Sequence, residues 1–289
     1  MPFDSPNLSP SDTGEERSPV VVISPPGAWP TLGVRELWRY RDLLSQIVWR
    51  DFSAMYRQSV IGIAWAVITP VVTMIVFSVV FGKMARIPSD GIPYPLFTFT
   101  GLLPWTYFAA CLTGASNSTV TGGHLLTKVY FPRLILPLSK VVNGLIAFAI
   151  QFVLLLVLMV WYQVPLTSRA FAVPLLVLIC AVSGLSVGLW LTALSVKYRD
   201  VKHIVPFLSR MWMWVSPVVY PASLAAEEWR ILYWLNPMVG VIEGFRWAIL
   251  GKLAPDWTML AISLTGVVAM LVGGLYFFRK AEATFADTI

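Results

Sequence analysis

Long apolar blocks separated by short charged segments run along most of this chain. A helix needs about 20 apolar residues to cross the ~30 Å hydrocarbon core of a bilayer. Five of the blocks without Asp, Glu, Lys or Arg exceed that length, so the pattern predicts an all-α polytopic membrane protein. The charge-free blocks are 58–82, 91–127, 141–168, 170–196, 211–226 and 257–278.

The fifth block is too short to cross a bilayer unless its helix begins earlier. Residues 211–226 would span only about 24 Å as a helix. Extending the helix back to Ile204 brings Arg210 inside it, close enough to one end for the guanidinium to reach the headgroups. Pro217 and Pro221 then break the helix at its far end. With this crossing, six transmembrane helices are predicted over about 60–82, 96–117, 136–162, 171–195, 204–221 and 257–278.

Two amphipathic regions lie outside these spans, one before the first and one between the fifth and sixth. Residues 32–57 place polar and apolar side chains on opposite helical faces, which predicts an interface helix on the membrane surface before a transmembrane domain over 58–289. Residues 227–256 mix charges with aromatic rings and favour two short amphipathic helices, hinged at Asn236-Pro237, that re-enter the outer leaflet. Residues 1–31 contain seven prolines, and we expect a disordered cytoplasmic tail there.

The distribution of positive charge predicts the orientation. Of the 21 Lys and Arg residues, 15 fall in the N-terminal segment, the second and fourth loops and the C-terminal tail, and 6 in the remaining loops. The positive-inside rule therefore places both termini in the cytoplasm, in a multi-pass protein of the cytoplasmic (inner) membrane. Because the basic residues sit at the ends of apolar blocks, the net charge of +6 needs no nucleic acid partner to explain it.

The spans lack the side chains that catalysis or ion coupling would need. None of the five long spans contains Asp or Glu, although ion-coupled transport ordinarily uses an ionisable group in the membrane. His124 and His203 fall in separate loops, and Cys111 and Cys180 lie inside apolar blocks, so no metal site or disulfide framework is predicted. Without a GxxxxGK[ST] sequence the chain has no P-loop, and energy for uphill movement must come from another polypeptide. We therefore predict a non-enzymatic subunit without a cofactor of its own.

Small residues on the fourth span predict a packing face. Gly184 and Gly188 lie one helical turn apart, with Ser183 and Ser186 beside them. Residues without bulky side chains let a second helix approach closely, so a structural role is predicted for this pair of glycines.

Aromatic residues are abundant, with 13 Trp, 10 Tyr and 16 Phe. Most fit the interfacial belt of membrane proteins, and lipid anchoring is the alternative for every one of them. A subset falls inside the spans or around the broken fifth helix, where ring faces could line a path for the C–H surface of sugars. These channel or gate candidates are Trp65, Trp105, Tyr107, Trp212, Trp214, Tyr220, Trp229 and Trp234.

Short motifs follow one another in a fixed order over about residues 36–289. They include Tyr56-Arg57-Gln58-Ser59, Gly62-Ile63-Ala64-Trp65, Gly101-Leu102-Leu103-Pro104-Trp105, Phe131-Pro132-Arg133, Lys197-Tyr198-Arg199-Asp200-Val201, Ser216-Pro217-Val218, Leu235-Asn236-Pro237-Met238 and Gly244-Phe245-Arg246. Each motif alone has little specificity, and their order carries the signal. In that order the chain resembles the permease subunit of polysaccharide-exporting ABC transporters of the type-2 export fold.

The resemblance implies a homodimer with two cytoplasmic ATP-binding subunits, which would hold the ATP and Mg²⁺. It implies a polysaccharide substrate on undecaprenyl diphosphate or a related lipid: O-antigen first, otherwise capsule or wall teichoic acid. In the family, the loop after the second span forms a coupling helix against the ATPase, and the loop after the fourth span supports that contact. The family also has short external gate helices between the fifth and sixth spans, where residues 227–250 fall here. The matching positions here are His124, Leu125, Lys128, Phe131, Pro132 and Arg133, with Lys197, Arg199 and Asp200.

Arg50 and Arg57 are the candidates for binding the diphosphate of the lipid carrier. Both lie on the polar face of the interface helix, near the inner leaflet, and guanidinium groups pair well with phosphate. Two other functions remain open. A drug or lipid efflux permease of the same fold would move amphiphiles, and a membrane-embedded glycosyltransferase or ligase would act without ATP.

Overall fold

The computed structural model describes residues 34–57, 62–126, 131–198, 200–224, 228, 233–251 and 257–282. The chain divides into Met1–Leu32 and Gly33–Ile289, and every described residue lies in the second unit. The predicted disordered tail, 1–31, therefore lies outside the described residues. Within the described ranges the regular structure is helical and no strand is present, which confirms the predicted all-α class.

The described ranges contain nine α-helices and several shorter helical turns. The α-helix Trp65–Phe77 continues without interruption into a π-helical stretch, Ser78–Met84. Short 3-10 helices cover Gly62–Ala64, Ser168–Ala172 and Ala222–Leu224. In chain order the α-helices are α1 (Val34–Arg39), α2 (Arg41–Arg57), α3 (Trp65–Phe77), α4 (Tyr94–Leu126), α5 (Ile135–Trp161), α6 (Val173–Lys197), α7 (Val201–Val215), α8 (Pro237–Leu250) and α9 (Trp257–Glu282).

Five helical stretches in the described part of the chain are long and apolar enough to cross a membrane. They coincide with the first four predicted spans and the last one, so the multi-pass helical architecture is confirmed. Each holds a long apolar block with few charges, and an uninterrupted helix pairs its own backbone groups there. The five are Gly62–Met84, Tyr94–Gly122, Ile135–Trp161, Ser168–Lys197 and Trp257–Glu282.

The predicted crossing over 204–221 is shorter in the structure. α7 has 15 residues and measures about 22 Å, and it ends at Val215. The residue before a proline is disfavoured in helical conformation, so the helix stops just before Ser216-Pro217. The boundary at 221 is therefore wrong, and the sixth crossing stays a prediction.

α4 lies at the centre of the bundle and packs closely against α6. A Cβ on Gly184 would lie 2.6 Å from the Cys111 Cβ, and one on Gly188 would lie 2.6 Å from the Ala115 Cβ. The Thr192 hydroxyl donates across the same contact to the Ala115 carbonyl at 2.7 Å. The predicted glycine packing face is confirmed, because only hydrogen at these positions permits this separation of the two helices.

α2 is the predicted interface helix. A turn at Tyr40 separates it from α1. Its buried residue Ile47 packs against Phe131, Ile135 and Leu136 at the start of α5. On its other side the Trp49 ring is exposed, as expected for an amphipathic helix that meets the headgroup region with one face.

α8 begins at the predicted hinge. Asn236 is its N-cap, with the side-chain oxygen accepting from the Met238 amide, and Gly251 ends it at φ 69°, a left-handed conformation that suits glycine. Twelve of its 14 residues are buried against the bundle. The expectation of an amphipathic helix is therefore wrong for α8, while its place in the outer leaflet and its role as a gate helix stay predictions. The other predicted gate helix falls largely outside the described residues.

Candidate functional site

The loop between α4 and α5 holds the first set of predicted coupling residues. His124 and Leu125 belong to the last turn of α4, while their side chains and the whole of Lys128 lie outside what the structure describes. Phe131 is only 4% exposed and packs with Ile47 of the interface helix. The described end of this loop therefore sits beneath α2, and Phe131 contacts the rest of this chain.

Arg133 connects the same loop to the end of the last helix. Its Nη1 donates to the backbone carbonyl of Glu282. Arg279 Nη1 lies 3.1 Å from the Glu282 carboxylate, so the last turn of α9 is ion-paired. Pro132 and Arg133 are both half-buried. The α4–α5 loop thus contacts the interface helix through Phe131 and the end of α9 through Arg133.

The short turn between α6 and α7 carries the second set of predicted coupling residues. Lys197 and Asp200 are exposed, and Arg199 lies outside the described residues. The Lys197 ammonium lies 5.3 Å from the centroid of the Tyr198 ring, which is also exposed. Unlike Phe131, these charged side chains stand at a surface that a protein partner can reach.

Asp51 joins the interface helix to α5 through Lys140 and pairs with a second cation, Arg50, on its own helix. Lys140 Nζ lies 2.6 Å from Asp51 Oδ2, and Arg50 Nη2 lies 2.9 Å from Oδ1. Burial opposes ionisation of this carboxyl, but hydrogen bonds and charge interactions with Lys140 and Arg50 outweigh it and lower the pKa of Asp51. Arg50, a lipid-diphosphate candidate, is 45% exposed, and the side chain of Arg57 lies outside the described residues.

Residues 216–221, which follow α7, form an irregular stretch that we call the break segment. Its Val218 and Val219 are buried, and buried carbonyls inside a membrane bundle need protein partners. Arg246 of α8 supplies two of these partners. Its Nη2 donates to Val218 O at 2.9 Å and its Nη1 to Tyr220 O at 3.3 Å.

Arg246 is itself only 4% exposed, so its charge needs compensation. Glu243 Oε1 accepts from Arg246 Nη1 at 2.8 Å and also from the Ala222 amide at 3.3 Å. The guanidinium carbon lies 3.7 Å from the centroid of the Phe97 ring on α4, a cation–π contact. One buried guanidinium therefore connects α4, α8 and the break segment.

Sequence reasoning counted Arg246 among the loop charges and missed this role. The placement was wrong because the charge pairs inside the bundle. One signal was present in the sequence: Glu243 and Arg246 lie three residues apart, the spacing of facing side chains on a helix, in an otherwise apolar stretch.

Asn236 makes a second polar link at the break. Its Oδ1 accepts from Trp212 Nε1 at 3.0 Å and from the Met238 amide at 3.0 Å, and its Nδ2 donates to Ser216 Oγ at 3.0 Å. One amide thereby caps α8, orients an indole of α7 and holds the first residue of the break segment.

The predicted channel and gate aromatics differ in how deeply they are buried. Trp105 and Tyr107 are buried within the bundle, and Trp212 packs edge-on to Phe108 with ring centroids 5.2 Å apart. Trp65 and Trp214 are exposed, and Trp214 lies 5.8 Å from the Phe77 ring. Tyr220 and Trp234 are half-buried, and Trp229 lies outside the described residues.

The described residues contain no group of three His, Cys, Asp or Glu side chains that could hold a metal ion. Cys111 and Cys180 are buried free thiols. The polar clusters found here, around Asp51 and Arg246, join helices to one another. Taken together, these features define a multi-pass helical membrane protein whose polar groups serve packing and contact.

Comparison with known proteins gives the family. The sequence profile of the family described as ABC-2 type transporter matches residues 42–250. This chain belongs to the ABC-2 type transporter family, and the predicted resemblance is confirmed at that level.

Relatives align over nearly their whole lengths. The O-antigen export system permease protein RfbA of Myxococcus xanthus is 34% identical over 259 residues, covering 89% of this chain and 98% of that protein. A protein of the same name from Klebsiella pneumoniae is 26% identical over 250 residues, covering 86% and 95%. The polysialic acid transport protein KpsM of Escherichia coli is 21% identical over 250 residues, covering 81% and 92%.

Proposed function

We propose that this chain is the membrane permease of an ABC exporter that moves a lipid-linked polysaccharide, most directly an O-antigen, across the cytoplasmic membrane. One observation carries the proposal: 34% identity to an O-antigen export permease along 98% of that protein. The multi-pass helical architecture agrees with it. The chain has no P-loop, so we assign ATP hydrolysis to partner subunits of the same ABC transporter.

We further propose a homodimer with two cytoplasmic ATP-binding subunits, and both termini of this chain on their side. The subunits would dock at the α4–α5 loop and at the exposed charges Lys197 and Asp200. Movement of that loop would pass to the interface helix through Phe131 and to the end of α9 through Arg133, because these side chains already contact those elements.

Arg50 is proposed to meet the anionic diphosphate of the lipid carrier, together with Arg57, which lies about two helical turns further along α2. Half of the Arg50 side chain is exposed, and its bonds to Asp51 hold it in one orientation. Alanine at both positions should lower the ATPase activity that the lipid-linked substrate stimulates. Arg41→Ala is the matched control, since Arg41 is an exposed arginine on the same helix. Unchanged stimulation in the double variant would remove both arginines from the site.

Deletion of the gene tests the proposed function in the cell. Surface polysaccharide should disappear, lipid-linked polymer should accumulate inside, and a plasmid copy should restore export. Intact surface polymer together with new sensitivity to amphiphilic drugs would contradict the proposal and favour an efflux permease. Loss of polymer synthesis in the deletion strain, with no lipid-linked polymer accumulating inside, would also contradict it and favour a glycosyltransferase.

A further inference from the structure

The break segment is bound from two sides by side chains of different helices. From α8, the Arg246 guanidinium bonds the carbonyls of Val218 and Tyr220. From α4, the Tyr94 hydroxyl donates to Val219 O at 2.6 Å. Three successive carbonyls of an irregular stretch are therefore held by only two side chains.

Glycine at position 101 makes room for this arrangement. A Cβ there would lie 2.9 Å from Arg246 Nη2 and 2.9 Å from Val218 O, directly between donor and acceptor. A side chain at position 101 would push the Arg246 guanidinium and the break segment apart. Close approach of the segment to α4 therefore depends on the absence of that one carbon.

The bonds to Arg246 form and break as a unit. One planar fork serves Val218, Tyr220 and Glu243, so moving the guanidinium releases both carbonyls together. The released segment would leave buried carbonyls unpaired, unless it moves into contact with water. The structure shows the segment bound to α4, and loss of this one set of bonds is what its release would require.

We propose that Arg246 is a positioning residue for export: its guanidinium latches the break segment against α4, and the polymer leaves only when the segment is released. The inference rests on the proposed export function. The observation behind it is local, because the break segment follows α7, the one predicted crossing that is too short to span a bilayer alone. In this proposal, the position of the break segment decides whether the path at the end of α7 is closed.

Cysteine labelling reports whether the segment is held. Val219 is 4% exposed, so in Val219→Cys the thiol should react slowly with a water-soluble maleimide. Ser223→Cys, at an exposed position just after the segment, should react quickly and serves as the reference. The native Cys111 and Cys180 are both 0% exposed, and their labelling reports loosening of the whole bundle. The measurement uses the full chain purified with its ATP-hydrolysing partner, without ATP or polymer.

Two variants disturb the latch by different means. Arg246→Lys keeps the buried charge but cannot reach both carbonyls and Glu243 with a single ammonium group. Gly101→Ala keeps Arg246 and inserts the carbon between it and Val218. Gly266→Ala is the matched control, because nothing lies within 4 Å of a Cβ added there. In both latch variants we expect the Val219→Cys labelling rate to rise about tenfold, with Gly266→Ala unchanged.

Labelling of the native cysteines distinguishes a latch role of Arg246 from a general structural role. The proposal predicts faster labelling at 219 while Cys111 and Cys180 stay protected. Labelling that rises at all three positions together would overturn it, as would unchanged labelling at 219. If Arg246→Lys cannot be purified in a folded form, Gly101→Ala decides by the same outcomes. Failure of both variants to fold would show that these contacts hold the whole bundle, and would also overturn the latch.

The labelling experiment is independent of polymer transport. If wild-type vesicles move no polysaccharide, the proposed function fails even where the labelling shows a held segment. If they do move it and Val219→Cys is no better protected than Ser223→Cys, the latch alone fails.

Discussion

Lys140 of α5 and Asp51 of the interface helix form a 2.6 Å ion pair across 89 residues of sequence. Asp51 is mostly buried and has Arg50 as its second cation, so the pair anchors α2 to the bundle. Ile47, one helical turn before Asp51, packs against Phe131 and Ile135, so the interface helix contacts both the α4–α5 loop and α5.

Removing the lysine should loosen the interface helix. Lys140→Met should lower the free energy of unfolding by about 1–2 kcal/mol, because Asp51 loses a charged hydrogen bond and keeps only Arg50. Arg41→Ala is the control, since its 3.8 Å pair with Asp42 is exposed and should contribute almost nothing. Thermal unfolding in detergent measures both. Equal effects of the two substitutions would contradict the anchoring role of Asp51.

The same pair predicts a pH dependence. Because the pKa of Asp51 is lower in the folded chain, its ionised form contributes stability above the unfolded pKa of about 3.9. That contribution is lost as pH falls through the lower folded pKa. The stability difference between wild type and Asp51→Asn should therefore be full at pH 7 and shrink below about pH 4. A difference that stays constant across that range would exclude ionisation of Asp51 as its cause.

The contact between α4 and α6 should be intolerant of one methyl group. Gly184→Ala places a carbon 2.6 Å from the Cys111 Cβ and 3.1 Å from the Phe108 carbonyl, and backbone cannot easily yield. We expect a loss of about 1–3 kcal/mol in unfolding free energy. Gly266→Ala, with open space around it, should be neutral or stabilising by up to about 1 kcal/mol. The opposite ranking in thermal melts would show that this packing face is not critical.

Substitutions at the buried and the exposed predicted coupling residues should differ in their effects on stability and on partner binding. Phe131→Ala removes a ring packed under α2, so it should destabilise the chain by about 3 kcal/mol and weaken coupling as a consequence. Lys197→Glu changes an exposed charge, so it should leave the melting temperature unchanged and reduce binding of the ATP-hydrolysing subunit. Pull-down of that subunit with each purified variant distinguishes the two. Full binding by Lys197→Glu would remove the α6–α7 turn from the docking surface.

Sequence reasoning worked where a single helix determines its own structure. The five long spans, the interface helix and the glycine face follow from apolar length and periodicity, and these properties need no knowledge of neighbours. The hinge at Asn236-Pro237 was likewise readable, because a capping side chain followed by proline is a local signal.

It failed where charges find partners far away in the chain. Arg246 and Glu243 made residues 227–256 look amphipathic, whereas inside the bundle the arginine pairs with Glu243 and donates to two backbone carbonyls. Lys140 gave no sign in the sequence that Asp51 was its partner. Phe131 looked like a docking residue, and its burial depends on how α2 folds back onto α5.

Reconstitution tests the central claim most directly: this chain forms the path, and a separate subunit supplies the energy. Vesicles carrying the chain together with its ATP-hydrolysing partner should translocate lipid-linked polysaccharide on addition of ATP and Mg²⁺. Vesicles with the chain alone, or with a partner unable to hydrolyse ATP, should show none. Uphill transport by the chain alone would contradict the account.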